Sequence, residues 1–370
     1  MTVTPPRLRL LIDAALVFLV GAVFRVATLG VLARANDDSL SGLLLKWDAQ
    51  YYLAIAESGY FDAPLATDVP VHQRTLAFFP GFPLLVRALH TVTGLEFAAA
   101  AALVNAVAGV AMTAGAMAIA QRTGAGRRGQ VGVGVLVSAA PMSITFSMPY
   151  TEALFGALAF WAIVALMDHR WGWAAGLILL LGFTRLTAVA LIGVFGLVVL
   201  LRERHDRRAW LCLALTPWSL VGYVAWASWH SREVGGYFGV QAMGWHSGFD
   251  FGVATVRWAW EVLTTGTEVG YLLSLGVMVA AVVSLVAAWG RVPPEVWWFA
   301  AAILATVLLS DGIMHSRPRL LLPAVILLLP WVVRGVEKLP RAVTLTAAAG
   351  WVLFGAWFSA YMLAVFEWAI

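Results

Sequence analysis

The chain has 370 residues, of which 61% are hydrophobic and 12% are charged, and its formal net charge is +4. An ordinary soluble domain carries about 25% charged residues. A mean hydropathy of +0.85 therefore excludes a soluble fold and predicts an all-α integral membrane protein. We expect membrane lipids around it and no nucleic-acid partner. The single cysteine, Cys212, excludes an intrachain disulfide and a cysteine-based metal site.

Eleven membrane spans are predicted, because about 20 apolar residues cross a bilayer. They lie near residues 10–33, 96–120, 131–148, 151–168, 172–187, 188–201, 209–230, 269–289, 296–310, 320–337 and 342–366. Residues 172–201 fit either two short helices or one long, broken helix. Residues 1–370 are predicted to form one polytopic membrane domain. The first span is predicted to be retained, because no small-residue cleavage site follows a short apolar core.

The charges separate into two sets along this topology. Basic residues fall mainly in short loops on one side, from Arg7 and Arg9 to Arg341, whereas acidic residues gather on the other side. Cytoplasmic loops are enriched in Lys and Arg, so we expect a cytoplasmic N-terminus and an extracytoplasmic acidic face. A slip of one span is the alternative, and it would move only the C-terminal loops. The preference for Arg over Lys is a weak sign of a bacterial source, and hence of a bacterial plasma membrane.

Two of the predicted outer loops are long, covering residues 34–95 and 231–268. Both mix aromatic, acidic and basic residues with short apolar patches, and neither is low in complexity. Long ordered loops usually carry function. We expect both loops to act as lids on the helical bundle.

The first long loop contains a short, aromatic-rich helix. Trp47, Tyr51 and Ile55 are spaced to form one apolar stripe. Asp48 and Tyr52 lie together on the neighbouring face. A carboxylate where lipid meets water is partly desolvated, which would strengthen it as a general base. Asp48 is therefore the candidate catalytic residue, with capping of the helix beside a nearby cation as the alternative. Trp47, Tyr51 and Tyr52 beside it are candidates for the substrate pocket.

A second apolar piece follows at residues 78–89. Its two prolines and its glycine predict a turn and then a short re-entrant or interfacial helix. Phe78, Phe79 and Phe82 are candidates to line a groove for an isoprenoid tail. The alternative is that they contact bulk lipid alone.

Two arginines lie inside apolar stretches, where a charge costs about 2.5–3.5 kcal/mol on insertion scales and usually has a partner. For Arg185, a lipid phosphate is one such partner, because Arg can donate two parallel hydrogen bonds to it. A salt bridge to Glu152 or Asp13 is the alternative. For Arg25 in the first span, we expect the internal salt bridge.

Glu152 opens an apolar helix at the outer end of two spans. An acid at a helix N-terminus interacts favourably with the helix dipole, so a structural role is expected. A contact with an arginine or with an acceptor substrate is the alternative.

Arg317 and Arg319 flank a proline where the chain re-enters lipid on the acidic side, so topology does not explain them. They are the best candidates to bind a phosphate, with binding of anionic headgroups as the alternative.

In the second long loop, Trp245, His246 and Asp250 are candidates for an acceptor pocket, on the basis of their position alone.

Several common signatures are absent from the sequence: no phosphate-binding glycine loop, no HExxH motif and no metal-ligand spacing among the seven histidines. The sequence leaves open a divalent metal held between an aspartate and a substrate phosphate.

Five segments resemble, in order, motifs of the PIG-V-type mannosyltransferases, relatives of the enzyme that adds the second mannose to the GPI anchor. The segments are Trp47-Asp48 with Tyr52, Ile55-Ala56 and Gly59-Tyr60; Phe79-Pro80 with Pro83-Leu84; Tyr150 to Phe155; Thr184-Arg185; and Arg317 to Arg319 with Leu322-Pro323. Two of the segments depart from the pattern: Tyr51 replaces a histidine, and Leu-Thr-Ala follows Arg185 instead of Ser-Asn-Gly. The resemblance covers about residues 10–330.

The resemblance implies a GT-C fold, a multi-span bundle with its catalytic aspartate in the first outer loop. It also implies a polyprenyl-phosphate sugar donor, usually mannose, and an inverting transfer. We therefore expect Asp48 to deprotonate the hydroxyl of an unknown glycan, lipid or protein acceptor, on the extracytoplasmic side of the membrane. Arg317, Arg319 and Arg185 would stabilise the growing charge on the donor phosphate. Bacteria lack GPI anchors, so a bacterial member would use a different acceptor.

Two other functions stay open. A transporter or flippase of a lipid-linked sugar would also need intramembrane arginines and aromatic surfaces. Transporters often show inverted repeats with broken helices, and the sequence shows no such symmetry. A non-catalytic membrane partner subunit is the second alternative, and it would tolerate loss of Asp48.

Overall fold

The structure is a computed structural model that describes residues 6–266 and 268–369. It is built almost entirely of helices. The α-helices are α1 (Pro6–Ala35), α2 (Leu40–Leu44), α3 (Asp48–Ser58), α4 (His72–Thr75), α5 (Gly81–Thr93), α6 (Phe97–Arg122), α7 (Arg127–Ser138), α8 (Glu152–Met167), α9 (Trp171–Leu181), α10 (Val189–Arg202), α11 (Arg207–Leu215), α12 (Trp218–His230), α13 (Gly236–Trp245), α14 (Val253–Thr265), α15 (Val269–Ala287), α16 (Pro294–Leu308), α17 (Arg317–Leu320), α18 (Leu329–Lys338) and α19 (Arg341–Ala364).

Short irregular elements join these helices. Single 3₁₀ turns or stretches cover Ser143–Ser147, Leu186–Ala188, Arg232–Val234, Met314–Ser316 and Leu322–Leu328. Two short strands, β1 (Gly248–Phe249) and β2 (Ser310–Asp311), form an antiparallel pair. This pair ties the second long loop to the end of α16.

Among the described residues, five helical segments are long and apolar enough to cross a membrane: Leu8–Ala35, Phe97–Arg122, Arg207–His230, Val269–Ala287 and Arg341–Ala364. A sixth is a pair of helical pieces, Met314–Leu320 and Leu322–Lys338, that meet at a bend of 59°. Four shorter apolar helices add to these: Glu152–Met167, Trp171–Leu181, Leu186–Arg202 and Pro294–Leu308. The count of eleven spans stays a prediction.

Two predicted spans have a different internal structure. Residues 172–201 form two short helices, α9 and the segment Leu186–Arg202 that contains α10. This is one of the two alternatives predicted for the stretch. The predicted span at residues 131–148 is not one helix, because α7 ends at Ser138 and the chain turns at Met142 with a φ of +68°. Pro141 explains the break, since proline cannot donate the next helical hydrogen bond and disfavours helical geometry in the residue before it.

Arg25 lies inside the bundle at this break and is only 1% exposed. Its guanidinium donates to the carbonyl oxygen of Ser138 at 2.6 Å and to the hydroxyl of Ser147 at 3.4 Å. Phe18 lies against it, with the ring centroid 5.2 Å away. The predicted salt bridge of Arg25 is therefore wrong: the interrupted helix leaves carbonyl groups free, and these oxygens accept its hydrogen bonds. Asp13 pairs instead with Arg127, at 2.7 Å.

The core centres on α6, which packs against α1, α7 and α8. Small residues let these helices approach closely, as is typical of membrane helices. At Gly109 in α6, an added Cβ would lie 2.0 Å from the ring of Phe18 in α1, so only glycine fits there. The close packing fixes the start of α8, where Glu152 lies.

The first long loop folds into α2, α3, α4 and α5, so the two helices predicted near residues 47–58 and 78–89 are present. Tyr52 of α3 is buried against Phe78 and Phe82, with ring centroids 5.0 and 5.6 Å away. Arg87 of α5 donates to the carbonyl oxygen of Ala56 at 2.6 Å, at the end of α3. These contacts hold the first turn of α3, and with it Asp48, in a fixed place.

Candidate active site

A cavity of about 570 Å³ opens between the two long loops and the segment that follows α16. Its wall combines side chains from α3, α13, the β1–β2 pair and α17. Eight of the residues predicted from the sequence line it: Asp48, Tyr52, Phe78, Phe79, Arg185, Trp245, Arg317 and Arg319. Residues far apart in the chain therefore meet at one place.

Four charged side chains form a continuous chain of ion pairs at this cavity. Asp48 binds Arg319 at 2.6 Å, and Arg185 binds Glu152 at 2.8 Å. Arg319 also lies 3.9 Å from Glu152, which links the two pairs. The side chain of Glu152 is 3% exposed and that of Arg319 11%. Such buried charges are retained only when they are paired, because an unpaired ion in a dry site is very costly.

Local structure explains where the two carboxylates lie. Asp48 and Glu152 are each the first residue of a helix, α3 and α8. The residue before each one, Trp47 and Thr151, makes no side-chain capping hydrogen bond. Both acids thus face the positive end of a helix dipole. Glu152 nevertheless also contacts arginine, so the alternative predicted for it is present in the structure.

The ring of Tyr150 lies against Arg319 of this cluster. The Arg319 guanidinium is 5.1 Å from the centroid of the Tyr150 ring, a distance typical of a cation–π contact. Burial raises the pKa of the Tyr150 phenol well above its usual range, and the Asp48 carboxylate acts in the same direction. The ring therefore stays neutral and offers its face to Arg319.

Two polar atoms of the cluster find no protein partner among the described residues. They are Oε2 of Glu152 and Nε of Arg319, and both are buried. Buried polar atoms are normally hydrogen-bonded, so each unpaired one needs an explanation. A polar ligand that enters the cavity is one such explanation.

Arg317 lines the cavity but donates to protein groups. Its guanidinium binds the hydroxyl of Thr255 and the carbonyl oxygen of Ser310. These bonds fasten α17 to α14 and to strand β2. Its predicted contact with a phosphate stays a prediction. The side chains of Arg319 and Arg185 are 11% and 17% exposed, and they contact carboxylates.

Six predicted residues do not line the cavity: Trp47, Tyr51, Phe82, Glu152, His246 and Asp250. Tyr51 stacks on Phe78, with ring centroids 4.8 Å apart, and Phe82 is fully buried in the core against Tyr52. Asp250 accepts hydrogen bonds from the amides of Gly252 and Ala254 at 2.9 and 2.6 Å. Asp250 therefore lies at the start of α14 and stabilises it.

Several lining residues were not predicted, among them Gln241, Ser247, Thr306 and Asp311. Only Asp311 left a signal in the sequence, because it is an acidic residue between two apolar stretches on the acidic side of the predicted topology. The polar side chains of the other three residues are too common to single out. Within the described residues, no group of three His, Cys, Asp or Glu side chains is placed to hold a metal ion.

The helices and this cavity together define a multi-span helical membrane protein. The fold is similar to that of ArnT from Cupriavidus metallidurans, whose crystal structure contains undecaprenyl phosphate. The TM-score is 0.55, with 16% sequence identity over 92% of this chain and 62% of that one. The predicted fold class is confirmed by this likeness.

The sequence is similar to a more specific group of proteins. It is 29% identical over 191 residues to GPI alpha-1,6-mannosyltransferase 2 of Mus musculus, covering 49% of this chain and 36% of that protein. The counterpart in Rattus norvegicus is 30% identical over 150 residues, covering 38% and 28%. The chain thus matches about a third of the length of these relatives. No protein-family model matches it. The predicted resemblance to the PIG-V-type mannosyltransferases is confirmed: the chain is PIG-V-like in sequence and GT-C-like in fold.

Proposed function

We propose that this protein is an inverting glycosyltransferase that moves a hexose, with mannose the expected one, from a polyprenyl-phosphate donor to an acceptor hydroxyl. The observation that carries the proposal is the contact between Asp48 and Arg319 on the wall of the cavity. A base and a phosphate ligand are the two groups that such a transfer needs. The names of the similar proteins, a mannosyltransferase and a protein bound to undecaprenyl phosphate, support the same chemistry.

The charges of the cluster suit a phosphate that arrives and leaves. Two carboxylates balance two arginines before the donor binds. An incoming phosphate diester competes with Asp48 for the guanidinium of Arg319, since Arg binds phosphate through two parallel hydrogen bonds. Arg185 stays paired with Glu152 and adds a second positive group near the same site. When the sugar leaves, the phosphate gains charge, and fixed cations in a dry site stabilise that charge strongly.

The chemical step is a single displacement at the anomeric carbon. The oxygen of the acceptor hydroxyl forms a bond to this carbon while the bond from carbon to phosphate oxygen breaks. The electron pair of the broken bond stays on the phosphate, and the proton of the hydroxyl passes to Asp48. Inversion requires the base and the leaving phosphate on opposite faces of the sugar. The ion pair between Asp48 and Arg319 must therefore open to admit the hexose.

An apolar wall supports the lipid part of the donor. Phe78, Phe79, Phe238 and Leu320 line the cavity beside the charged cluster. This juxtaposition of charge and apolar surface suits a lipid phosphate, with the phosphate at the arginines and the isoprenoid chain along the aromatic rings. Of the three phenylalanines predicted for the lipid groove, Phe82 is fully buried and does not line the cavity.

The proposed orientation puts the cavity outside the cell and the N-terminus in the cytoplasm of a bacterium. Ion pairs between Arg122 and Asp168, and between Arg127 and Asp13, bring basic helix ends together. Glu152 of the Asp48 cluster begins α8, whereas Asp168 lies at the opposite end of that helix. The positive-inside rule then makes the basic end cytoplasmic.

The direct test is the Asp48→Asn variant, assayed with purified protein and radiolabelled polyprenyl-phosphate mannose. Removing a general base should lower turnover by roughly 10²- to 10⁴-fold. Asp62→Asn is the matched control, because Asp62 lies in the same loop, is exposed and does not line the cavity. Near-normal turnover of Asp48→Asn would remove Asp48 as the base. Vectorial movement of intact donor without labelled product would instead identify a flippase.

A further inference from the structure

Asp311 is a second carboxylate on the cavity wall, and the mechanism above does not use it. It is half-buried in strand β2 and lines the same cavity as Asp48. None of the ion pairs formed by the described residues includes it. Its Oδ1 accepts a hydrogen bond from the amide of Gly312 at 2.7 Å, and its Oδ2 accepts none from the part of the chain described here. One carboxylate oxygen is thus free to bind a ligand in the cavity.

The surroundings of Asp311 combine polar and aromatic groups. Strand β1 pairs with β2, which brings Ser247 and Phe249 to the same corner of the cavity as Trp245. Gly312 has a φ of +139°, and a side chain added there would lie 3.7 Å from the carbonyl oxygen of Trp245. The backbone is therefore held close to the aromatic residue. A few placed polar groups among apolar walls are typical of small-molecule sites.

This combination suits a sugar ring. A carboxylate only accepts hydrogen bonds and has about four lone-pair sites, so one carboxylate accepts from two neighbouring hydroxyls of a hexose. The C–H face of a hexose ring is apolar and suits an aromatic side chain such as that of Trp245. We propose that Asp311 binds two hydroxyls of the hexose that this protein transfers, and so selects the sugar. The inference rests on the proposed function and adds its sugar-specificity residue.

The position of Asp311 in the chain favours the donor sugar over the acceptor. Arg317 binds the carbonyl oxygen of Ser310, the residue before Asp311. Arg319, the proposed phosphate ligand, follows two residues later on the same short helix α17. A hexose is joined to its phosphate through a single oxygen, so the groups that bind them have to be near each other. Asp311 and Arg319 lie on one short segment of the chain, which meets this requirement.

The first test measures binding, without any turnover. The purified protein in detergent is titrated with polyprenyl phosphate and with polyprenyl-phosphate mannose, and thermal stability reports the affinity of each. The unmodified protein should bind the mannose-bearing lipid more tightly than the sugar-free lipid. In Asp311→Asn, affinity for the sugar-free lipid should be kept, whereas affinity for the mannose-bearing lipid should fall roughly 10- to 100-fold, as expected for hydrogen bonds to a charged group.

Asp62→Asn is the control, because Asp62 is exposed and does not line the cavity. It should bind both lipids as the unmodified protein does. If Asp311→Asn weakens both lipids equally, or if mannose adds no affinity to begin with, Asp311 is not a sugar ligand. If neither lipid stabilises the unmodified protein, the proposed function fails together with this inference.

The second test uses donors that lack one hydroxyl of the hexose at a time. The unmodified protein should lose affinity for the analogues that lack a hydroxyl bound by Asp311. Asp311→Asn should not distinguish those analogues from the full hexose, since the partner is already gone. An equal loss with every analogue would indicate structural damage and overturn the inference. A change confined to the KM of the acceptor would overturn the assignment to the donor sugar.

Discussion

Two arginines enclosed by the helices of this protein, Arg25 and Arg319, differ in their partners. Arg25 donates to a carbonyl and a hydroxyl oxygen at a break between helices, and it does not line the cavity that holds Asp48. Arg319 binds the carboxylate of Asp48 on the wall of a cavity. A buried charge in a membrane helix therefore does not mark a functional site by itself. The partner and the access to a cavity distinguish the two cases.

The largest expected effect is at the charged cluster. Arg319→Met leaves Asp48 without a cation, and Glu152 keeps only its contact with Arg185. The free energy of unfolding should therefore fall by about 3–5 kcal/mol. Chemical unfolding in detergent measures it. Affinity for polyprenyl phosphate should be lost as well. Arg319→Lys keeps the charge without the planar guanidinium, and it provides a folded variant in which the loss of affinity can be measured alone.

The same change at Arg25 should act on stability only. Arg25→Met leaves the Ser138 carbonyl without its partner, which costs about 1–3 kcal/mol of unfolding free energy. Affinity for polyprenyl phosphate, measured as for Arg319, should stay within about twofold of the unmodified protein. A loss of affinity as large as that of Arg319→Lys would mean that the distinction between the two arginines is wrong.

A double-mutant cycle sharpens the comparison further. Asp48→Asn and Arg319→Met, made singly and together, should show a coupling energy of about 0.5–3 kcal/mol in the unfolding free energy, because the two side chains are in contact. Asp48→Asn with Arg25→Met should be additive, since those side chains share no partner. Additivity in the first pair would contradict the ion pair.

The smallest effect concerns Asp250 and depends on pH. Hydrogen bonds from the amides of Ala254 and Gly252 lower the pKa of its carboxyl. The stabilisation is therefore present above the unfolded pKa of about 3.9 and is lost as the pH falls through the lower folded value. Asp250→Ala should lower the unfolding temperature at neutral pH, because two amides at the start of α14 lose their acceptor. The difference should vanish in acid, as followed by thermal unfolding across pH.

Local sequence was enough to predict the helices and turns, because these depend on residues that are neighbours in the chain. The apolar runs predicted helices, the aromatic spacing around Asp48 predicted α3, and the prolines before residue 84 predicted the turn that precedes α5. The positions of Asp48, Arg185 and Arg319 at a common site also followed from the sequence, through the resemblance of separate motifs. The Arg185–Glu152 ion pair was one of the alternatives that the sequence left open for Arg185. The Asp48–Arg319 pair did not follow from local sequence, because it joins distant parts of the chain.

The sequence by itself determined that this is a helical membrane protein and which segments carry its unusual charges, since hydropathy and helical spacing act over a few residues. Only the tertiary structure decided which partner each charge has. It gave Arg25 a carbonyl instead of a carboxylate, paired Arg185 with Glu152, and brought Asp311 into the same cavity as Asp48. The reason is physical: a buried charge is stabilised by whichever atoms packing brings near it, and packing depends on contacts between distant parts of the chain.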